Sequence, residues 1–299
     1  MTYIGSSGRR LLQTALVASP NPSFSNAALI GNTASSDYNA LQLQFQRRLA
    51  HGFQTLVSYS WSHSIDTGSA GSFSNGANTL VPTVNPNANR GDSDFDIRNA
   101  FSAAVTYDIP ALKSNPFTEE ILGGWSVESV IQARSAPPVN VFDGLFGELL
   151  NGQTEIRPDV VPGQPFYLHG SQYPGGRALN PAAFIAPPVG SDGQALRQGD
   201  LGRNALRAFG ATQWDFAVHR DFPLRERLKL QFRAEMFNVL NHPNFAPPIA
   251  DINNTTQFGT SIQMLGQYLG GANVGGGGFN SLYQLGGPRS IQLALKMIF

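Results

Sequence analysis

Residues 38–66 read YNALQLQFQRRLAHGFQTLVSYSWSHSID, and their spacing decides the fold. Leu41, Leu43 and Phe45 recur at every second position, with Gln42, Gln44 and Gln46 between them. Beyond LAHG, the set Phe53, Thr55, Val57, Tyr59 and Trp61 opposes Gln54, Ser58, Ser60, Ser62 and Ser64. Successive side chains of a strand point to opposite faces, so a period of two predicts strands with one apolar and one polar face. The four residues between the two runs leave room only for a tight turn, which makes the stretch an antiparallel hairpin.

The same period returns along the chain. Phe101, Ala103, Val105, Tyr107 and Ile109 oppose Ser102, Thr106 and Asp108, and Trp125, Val127 and Ile131 oppose Ser126, Glu128, Gln132 and Arg134. WDFAVHRDF (Trp214–Phe222) and LKLQFRAEM (Leu228–Met236) behave alike, and the chain closes on RSIQLALKMIF, with Ile291, Leu293, Leu295, Met297 and Phe299 on one face. The pattern predicts about eight strands: Met1–Gly8, Tyr38–Arg48, Gly52–Asp66, Arg98–Ile109, Gly124–Val141, Gln213–Phe222, Arg227–Leu240 and Arg289–Phe299.

Their connections alternate strictly between short and long. Tight turns fall at LAHG and PLRER and a moderate one at Pro110–Gly124, while Leu11–Asp37, Asp66–Asn99, Phe142–Gln213 and Asn241–Pro288 are long and rich in Gly, Pro, Asn and Ser. Long structureless loops count against a compact soluble domain. In an outer-membrane barrel they are the rule, with short turns on the periplasmic rim and long loops outside. The expected fold is therefore all-β, an antiparallel transmembrane β-barrel segment of about 8 to 10 strands. Within Phe142–Gln213, the stretch PFYLHG is a candidate for a further hairpin. A soluble β-sandwich gives the same alternation but accounts poorly for the lopsided connections.

Composition agrees. Of 299 residues only 13% are charged, against roughly 25% in an ordinary soluble domain, with 32 Gly and 20 Pro in their place. No apolar run approaches the roughly 20 residues of a membrane helix, so a membrane would be crossed by strands. Net charge is +0, which leaves no basic stripe for nucleic acid, and the absence of Cys excludes disulfides, thiolate metal sites and thiol catalysis. RRLLQTALVASP (Arg9–Pro20) is a poor signal peptide because Gln13 and Thr14 interrupt it, so the chain is expected to begin inside something larger.

In YNALQLQFQRRLAHGFQTLVSYSWSHSID, NRGDSDFDIRNAF, LGGWSV, LNPAAF, GRNALRAFG, RAEMFNVLNHPNFAPP, QFG and RSIQLALKMIF, spread in order over nearly the whole chain, the sequence resembles the C-terminal portion of TonB-dependent receptor-like barrels of the Oar type. The resemblance implies that residues 1–299 are part of a barrel of about 22 strands, with the signal peptide, plug and TonB-contacting segment lying elsewhere. It implies outer-membrane localisation and a parent that takes up or binds a bulky external ligand. The implied partners are outer-membrane lipid, the barrel assembly machinery and, through the parent, TonB and the plug. A terminal aromatic preceded by alternate apolar residues also resembles an assembly signal, which singles out Leu295, Met297 and Phe299. Two other readings stay open: a stand-alone small barrel with an adhesin or structural role, and a secreted glycan-binding β-sandwich.

Residues that carry chemistry are few. Asp92, Asp94 and Asp96 in DSDFD are spaced like the start of a calcium loop, but Ile97 and Ala103 stand where that loop needs Gly and Glu. These carboxylates are expected to cap the external end of a strand and pair with Arg90 or Arg98. His51, His63, His169, His219 and His242 lack metal-ligand spacing and read as turn, rim or loop residues. GGANVGGGGFN (Gly270–Asn280) is glycine-rich without the strand and helix that a phosphate cradle needs, and reads as an external loop. Nothing points to an enzyme or a cofactor. Glu128, Arg134, Arg233 and Glu235 lie on predicted lumen faces, as a charged network bracing the interior.

Overall fold

The computed structural model describes residues 1–21, 23–69, 86–110, 123–144, 156–191, 195–225, 228–269 and 285–299. The Pro110–Gly124 connection, most of Gly270–Pro288 and the tip of the PLRER turn therefore lie largely outside the described residues, as does the glycine-rich stretch Gly270–Asn280.

Period two folds as expected into one nine-stranded antiparallel sheet. Its long strands, in spatial order, are β1 (Thr2–Asn21), β2 (Phe24–Ala50), β3 (Phe53–Asp66), β5 (Asn99–Asp108), β6 (Trp125–Arg134), β13 (Ala211–Arg225), β14 (Leu228–Phe237) and β15 (Ser290–Ile298), and the two-residue β4 (Gly91–Asp92) pairs with β3. Order in space follows order in sequence, so each strand pairs with the one before it, as in an up-and-down barrel wall. β1 and β15 are the two ends of this order and do not pair with each other among the described residues. Those residues form no closed stand-alone barrel.

The hairpin at residues 38–66 has the predicted register, with Leu41 opposite Trp61, Leu43 opposite Tyr59 and Phe45 opposite Val57. Ala50 faces Phe53 across His51 and Gly52, whose φ angles of 53° and 75° are those of a two-residue turn that matches the twist of its strands. Outward residues are exposed along the wall, including Phe45 (61%) and Leu295 (71%). The paired positions on the other face are mostly Gln, Ser, Thr and Ala.

Two expectations are corrected. Leu11–Asp37 is not a loop: β1 and β2 continue as a ribbon from Leu11 opposite Ala34 to Asn21 opposite Phe24, with a bulge at Arg10, φ 54°. Outside a membrane, a ribbon needs no apolar face, so its sequence carries little alternation. Gly124–Val141 is not one strand either. β6 stops at Arg134, because Pro137 and Pro138 lack the N–H that a central strand must donate.

Beyond β6 the chain builds a folded cap rather than a structureless loop. Short pairs form it: β7 (Pro138–Val139) with β12 (Leu206–Arg207), β8 (Asp159–Val160) with β11 (Phe184–Ile185), and β9 (Tyr167–His169) with β10 (Arg177–Leu179). The β9–β10 pair is the hairpin anticipated at PFYLHG, although it stands apart from the wall. Val139, Val141, Leu179, Phe184, Leu201, Leu206 and Phe258 form the cap's core. Phe184 stacks on Phe166 at 5.8 Å and meets Phe258 edge-on at 5.7 Å. Each such side chain stabilises by about 1.5–3 kcal/mol when buried, so the cap has a core of its own.

Candidate functional site

Three places on this scaffold are candidates for function. The first is on the lumen face of β6, β13 and β14. Glu128 is opposite Ala217, and Ala217 is opposite Glu235, while His219 in the next inward position is opposite Arg233. The small Ala217 lets the Arg233 side chain cross over β13. Its guanidinium donates to Glu128 through both terminal nitrogens, at 2.6 and 3.2 Å, and through Nε to Glu235 at 2.6 Å. A two-pronged arginine–carboxylate pair fixes direction as well as charge. His219 Nδ1 adds a contact of 3.4 Å to Glu128. Three of the four residues named from sequence thus meet.

Arg134 does not join them. It lies level with Ala100 and Ala211 at the long-loop end of β6, and among the described residues it forms no ion pair. His219 is a further correction: it sits in mid-strand on the lumen face, not in a turn. The alternation of WDFAVHRDF already placed it beside Asp215 and Ala217.

The second place is at the long-loop rim, where GRNALRAFG meets DSDFD. Asp96 is fully buried and accepts from Ser64 N–H (2.7 Å), His63 Nδ1 (3.2 Å), Arg98 Nε (2.8 Å) and Arg207 (2.5 Å). Burial works to raise its carboxyl, but the Ser64 N–H and the Arg207 and His63 side chains outweigh it and hold the group below the usual carboxylate range. Arg207 also binds Asp92 and the Asp96 carbonyl, the latter at 2.9 Å. Arg203, with its side chain 7% exposed, donates to the Asp66 carboxylate at 2.8 Å, to Ser69 Oγ at 2.8 Å and to the Asn89 carbonyl at 3.2 Å. Asn204 completes the lattice with bonds to the Asp92 carbonyl and to Asp94.

Of the partners expected for DSDFD, Arg98 is in place, whereas Arg90 goes to Asp37 at 2.7 Å. Sequence reasoning missed Arg203 and Arg207, which reach Asp66 and Asp96 from more than a hundred residues away. The lattice fastens the cap to the ends of β3, β4 and β5. His63, Asp92 and Asp96 place ligand atoms within 4.8 Å of one another, the geometry of a metal site. Arg98 and Arg207 already neutralise those carboxylates, so a divalent cation there would face two guanidinium groups.

The third place is β15. Leu295 and Met297 are opposite Phe232 and Leu230 on the outward face, and Leu295, Met297 and Phe299 are 71%, 59% and 91% exposed. One edge of β15 is held by β14, and its other edge is the end of the sheet.

A family model described as "Outer membrane beta barrel domain" matches residues 2–268. A search of curated protein sequences finds no match. Among solved structures, the chain is similar to the outer membrane transporter YddB from Escherichia coli, with a TM-score of 0.50 and 9% sequence identity. The similarity covers 99% of this chain and 29% of the transporter, so the chain spans less than a third of that protein's length. At this identity the likeness is one of fold.

Proposed function

We propose, on the premise that this chain belongs to the outer membrane beta barrel domain family, that it is the C-terminal part of the barrel wall of a TonB-dependent, Oar-like receptor that takes up or binds a bulky external ligand. It lies in the outer membrane, and its role there is that of a barrel wall. The observation that carries the finer proposal is the open sheet. Both β1 and β15 end it among the described residues, and an unpaired backbone edge costs several kcal/mol per group in lipid, which supports a wall completed by further strands.

In this reading the parent supplies the remaining strands and a plug. Glu128, Arg233 and Glu235 brace the lumen, and the long-loop rim with its cap carries ligand recognition, as elements mounted on a rigid scaffold commonly do. In this reading the protein acts as a binder and conduit. Leu295, Met297 and Phe299 are the segment offered to the barrel assembly machinery.

The test is the reading frame upstream of Met1, together with co-purification of the full-length protein with the periplasmic domain of TonB. A plug and signal peptide in frame, with TonB retained, support the proposal. A full-length protein that lacks a plug and does not retain TonB would overturn it in favour of a passive barrel.

A further inference from the structure

Arg134 is the lumen charge that the ion-pair network leaves out. It shares the inward face of Glu128 on β6 and stands at the long-loop end of that strand. Its neighbours at the same level are Ala100 on β5 and Ala211 on β13, and neither side chain can accept a hydrogen bond. The nearest acids along β6 and β13 are engaged. Glu128 holds Arg233, and Asp215 accepts from Gln213 Nε2 at 2.9 and 3.0 Å and from the Asn238 N–H at 2.8 Å. Among the described residues Arg134 makes no side-chain hydrogen bond, ion pair or ring contact. Of its three nitrogens only Nε is enclosed, without an acceptor, and the terminal pair keeps contact with solvent. A partly desolvated cation lacks the compensation that such a charge requires, and an oxyanion at its terminal nitrogens would supply it.

The strand register extends this point into a polar strip. Gln42 on β2, Ser60 on β3, Ala100, Arg134 and Ala211 stand level with one another across the wall. One inward step further from the rim, about 7 Å along the strands, Gln44, Ser58, Ser102 and Gln132 form a second level. Among the described residues none of these Gln and Ser side chains is hydrogen-bonded, and Ser102 and Gln132 are exposed. The strip thus offers amides and hydroxyls at strand spacing, roughly 4.8 Å, with no apolar side chain larger than alanine among them.

We propose that Arg134 anchors the carboxylate of an acidic saccharide that enters the lumen from the long-loop mouth. The two terminal nitrogens of the guanidinium take a carboxylate with parallel hydrogen bonds. Ring hydroxyls, which both donate and accept, match the Ser and Gln side chains on either side of it. An acidic peptide would satisfy the guanidinium as well, but the strip has no apolar pocket for its side chains. The proposal rests on the reading of this chain as the wall of a ligand-binding receptor, and it names the class of that ligand.

The experiment uses the full-length protein in neutral detergent and titration calorimetry, with trigalacturonate and the neutral maltotriose as probes at one ionic strength. The wild type is expected to bind trigalacturonate roughly 10- to 100-fold more tightly than maltotriose, and Arg134→Gln to remove that difference. Ser102→Ala/Gln132→Ala should weaken both probes alike, by roughly tenfold. Arg134→Lys keeps the charge but not the paired donors and should retain part of the difference, which keeps the test valid if the glutamine variant folds poorly. No binding of trigalacturonate by wild type, equal binding of the two probes, or an unchanged difference in folded Arg134→Gln would overturn the proposal. The last result is also what a carboxylate of the parent already seated on Arg134 would produce. Tighter binding of hexaglutamate than of trigalacturonate, lost in Arg134→Gln, would overturn the saccharide assignment. Trigalacturonate binding without retention of TonB would count against TonB coupling alone, and TonB retention without that binding against the present proposal alone.

Discussion

Replacing Arg203 by Met tests whether the cap is fastened to the wall by its ion pairs. The substitution conserves much of the side-chain volume but removes a guanidinium that is 7% exposed, and leaves Asp66, 8% exposed, with a buried charge. Ser69 Oγ then remains as a donor to that carboxylate, at 2.6 Å. Breaking a buried pair by deleting one partner costs about 3–5 kcal/mol, because the desolvated charge that stays behind is uncompensated. At about 1.4 kcal/mol per factor of ten, local opening of the cap should become roughly 10²- to 4 × 10³-fold more frequent. Hydrogen exchange of the full-length protein in detergent reads this directly. Amides at the cap–rim junction, such as Leu201 and Ala205, should lose protection by that factor, whereas Leu228–Phe237 in the wall should not change. Asp66→Asn in the same chain removes the stranded charge and should recover most of the protection. Unchanged exchange at residues 199–208 in Arg203→Met would refute the fastening role.

In the lumen, Arg233→Met should be more harmful than Arg233→Met combined with Glu128→Gln, because the single change leaves two carboxylates facing each other. A difference of about 1 kcal/mol in a double-mutant cycle by urea unfolding is expected for pairs of this partial exposure. Asp96 is held below the ordinary carboxylate range, so its contribution to the cap's attachment is complete above that range and is lost as pH falls below about 4 toward its lowered value. Protection of residues 199–208, taken relative to the intrinsic exchange rate at each pH, should therefore fall in acid, and the fall should be absent in Asp96→Asn, which is loosened at all pH values. Deleting Phe299 from the full-length protein should lower the yield of assembled barrel, read by heat-dependent mobility on a gel, while leaving the soluble cap contacts untouched; full assembly would count against a signal role.

The wall was legible in the sequence because its environment changes at every residue. Lipid on one side and a wet interior on the other force apolar and polar residues to alternate, and residues 38–66 display that alternation without interruption. The same rule brought Glu128, Arg233 and Glu235 to one face before any contact was known. Where the rule lapses, so did the sequence reading. The β1–β2 ribbon beyond Ser36 has left the other strands of the wall behind, and its sequence shows no sustained alternation. The cap's core draws on Val139, Leu179, Phe184, Leu206 and Phe258, scattered between prolines and turns with no period to reveal them. Its fastening depends on Arg207 finding Asp96, a separation of 111 residues. No local pattern marks, for the arginines in GRNALRAFG, a partner so far along the chain.

The ribbon formed by β1 and β2 leaves β3 behind at Asp66, opposite Ser36, and above that level β2 has no second neighbour among the described residues. From Ser36 to Phe24 it runs roughly 40 Å at about 3.4 Å per residue. Mechanically it is a mast, a two-stranded lever that rises from the sheet. A sideways force at the tip becomes a torque at the base, multiplied by that length. The base is stayed at that level by the paired bonds between Ser35 and Thr67, each 3.1 Å, and by Asp37, held by Arg9 and Arg90 at 2.7 Å each. Whatever touches the tip from outside, its load converges on those few bonds before it reaches the barrel.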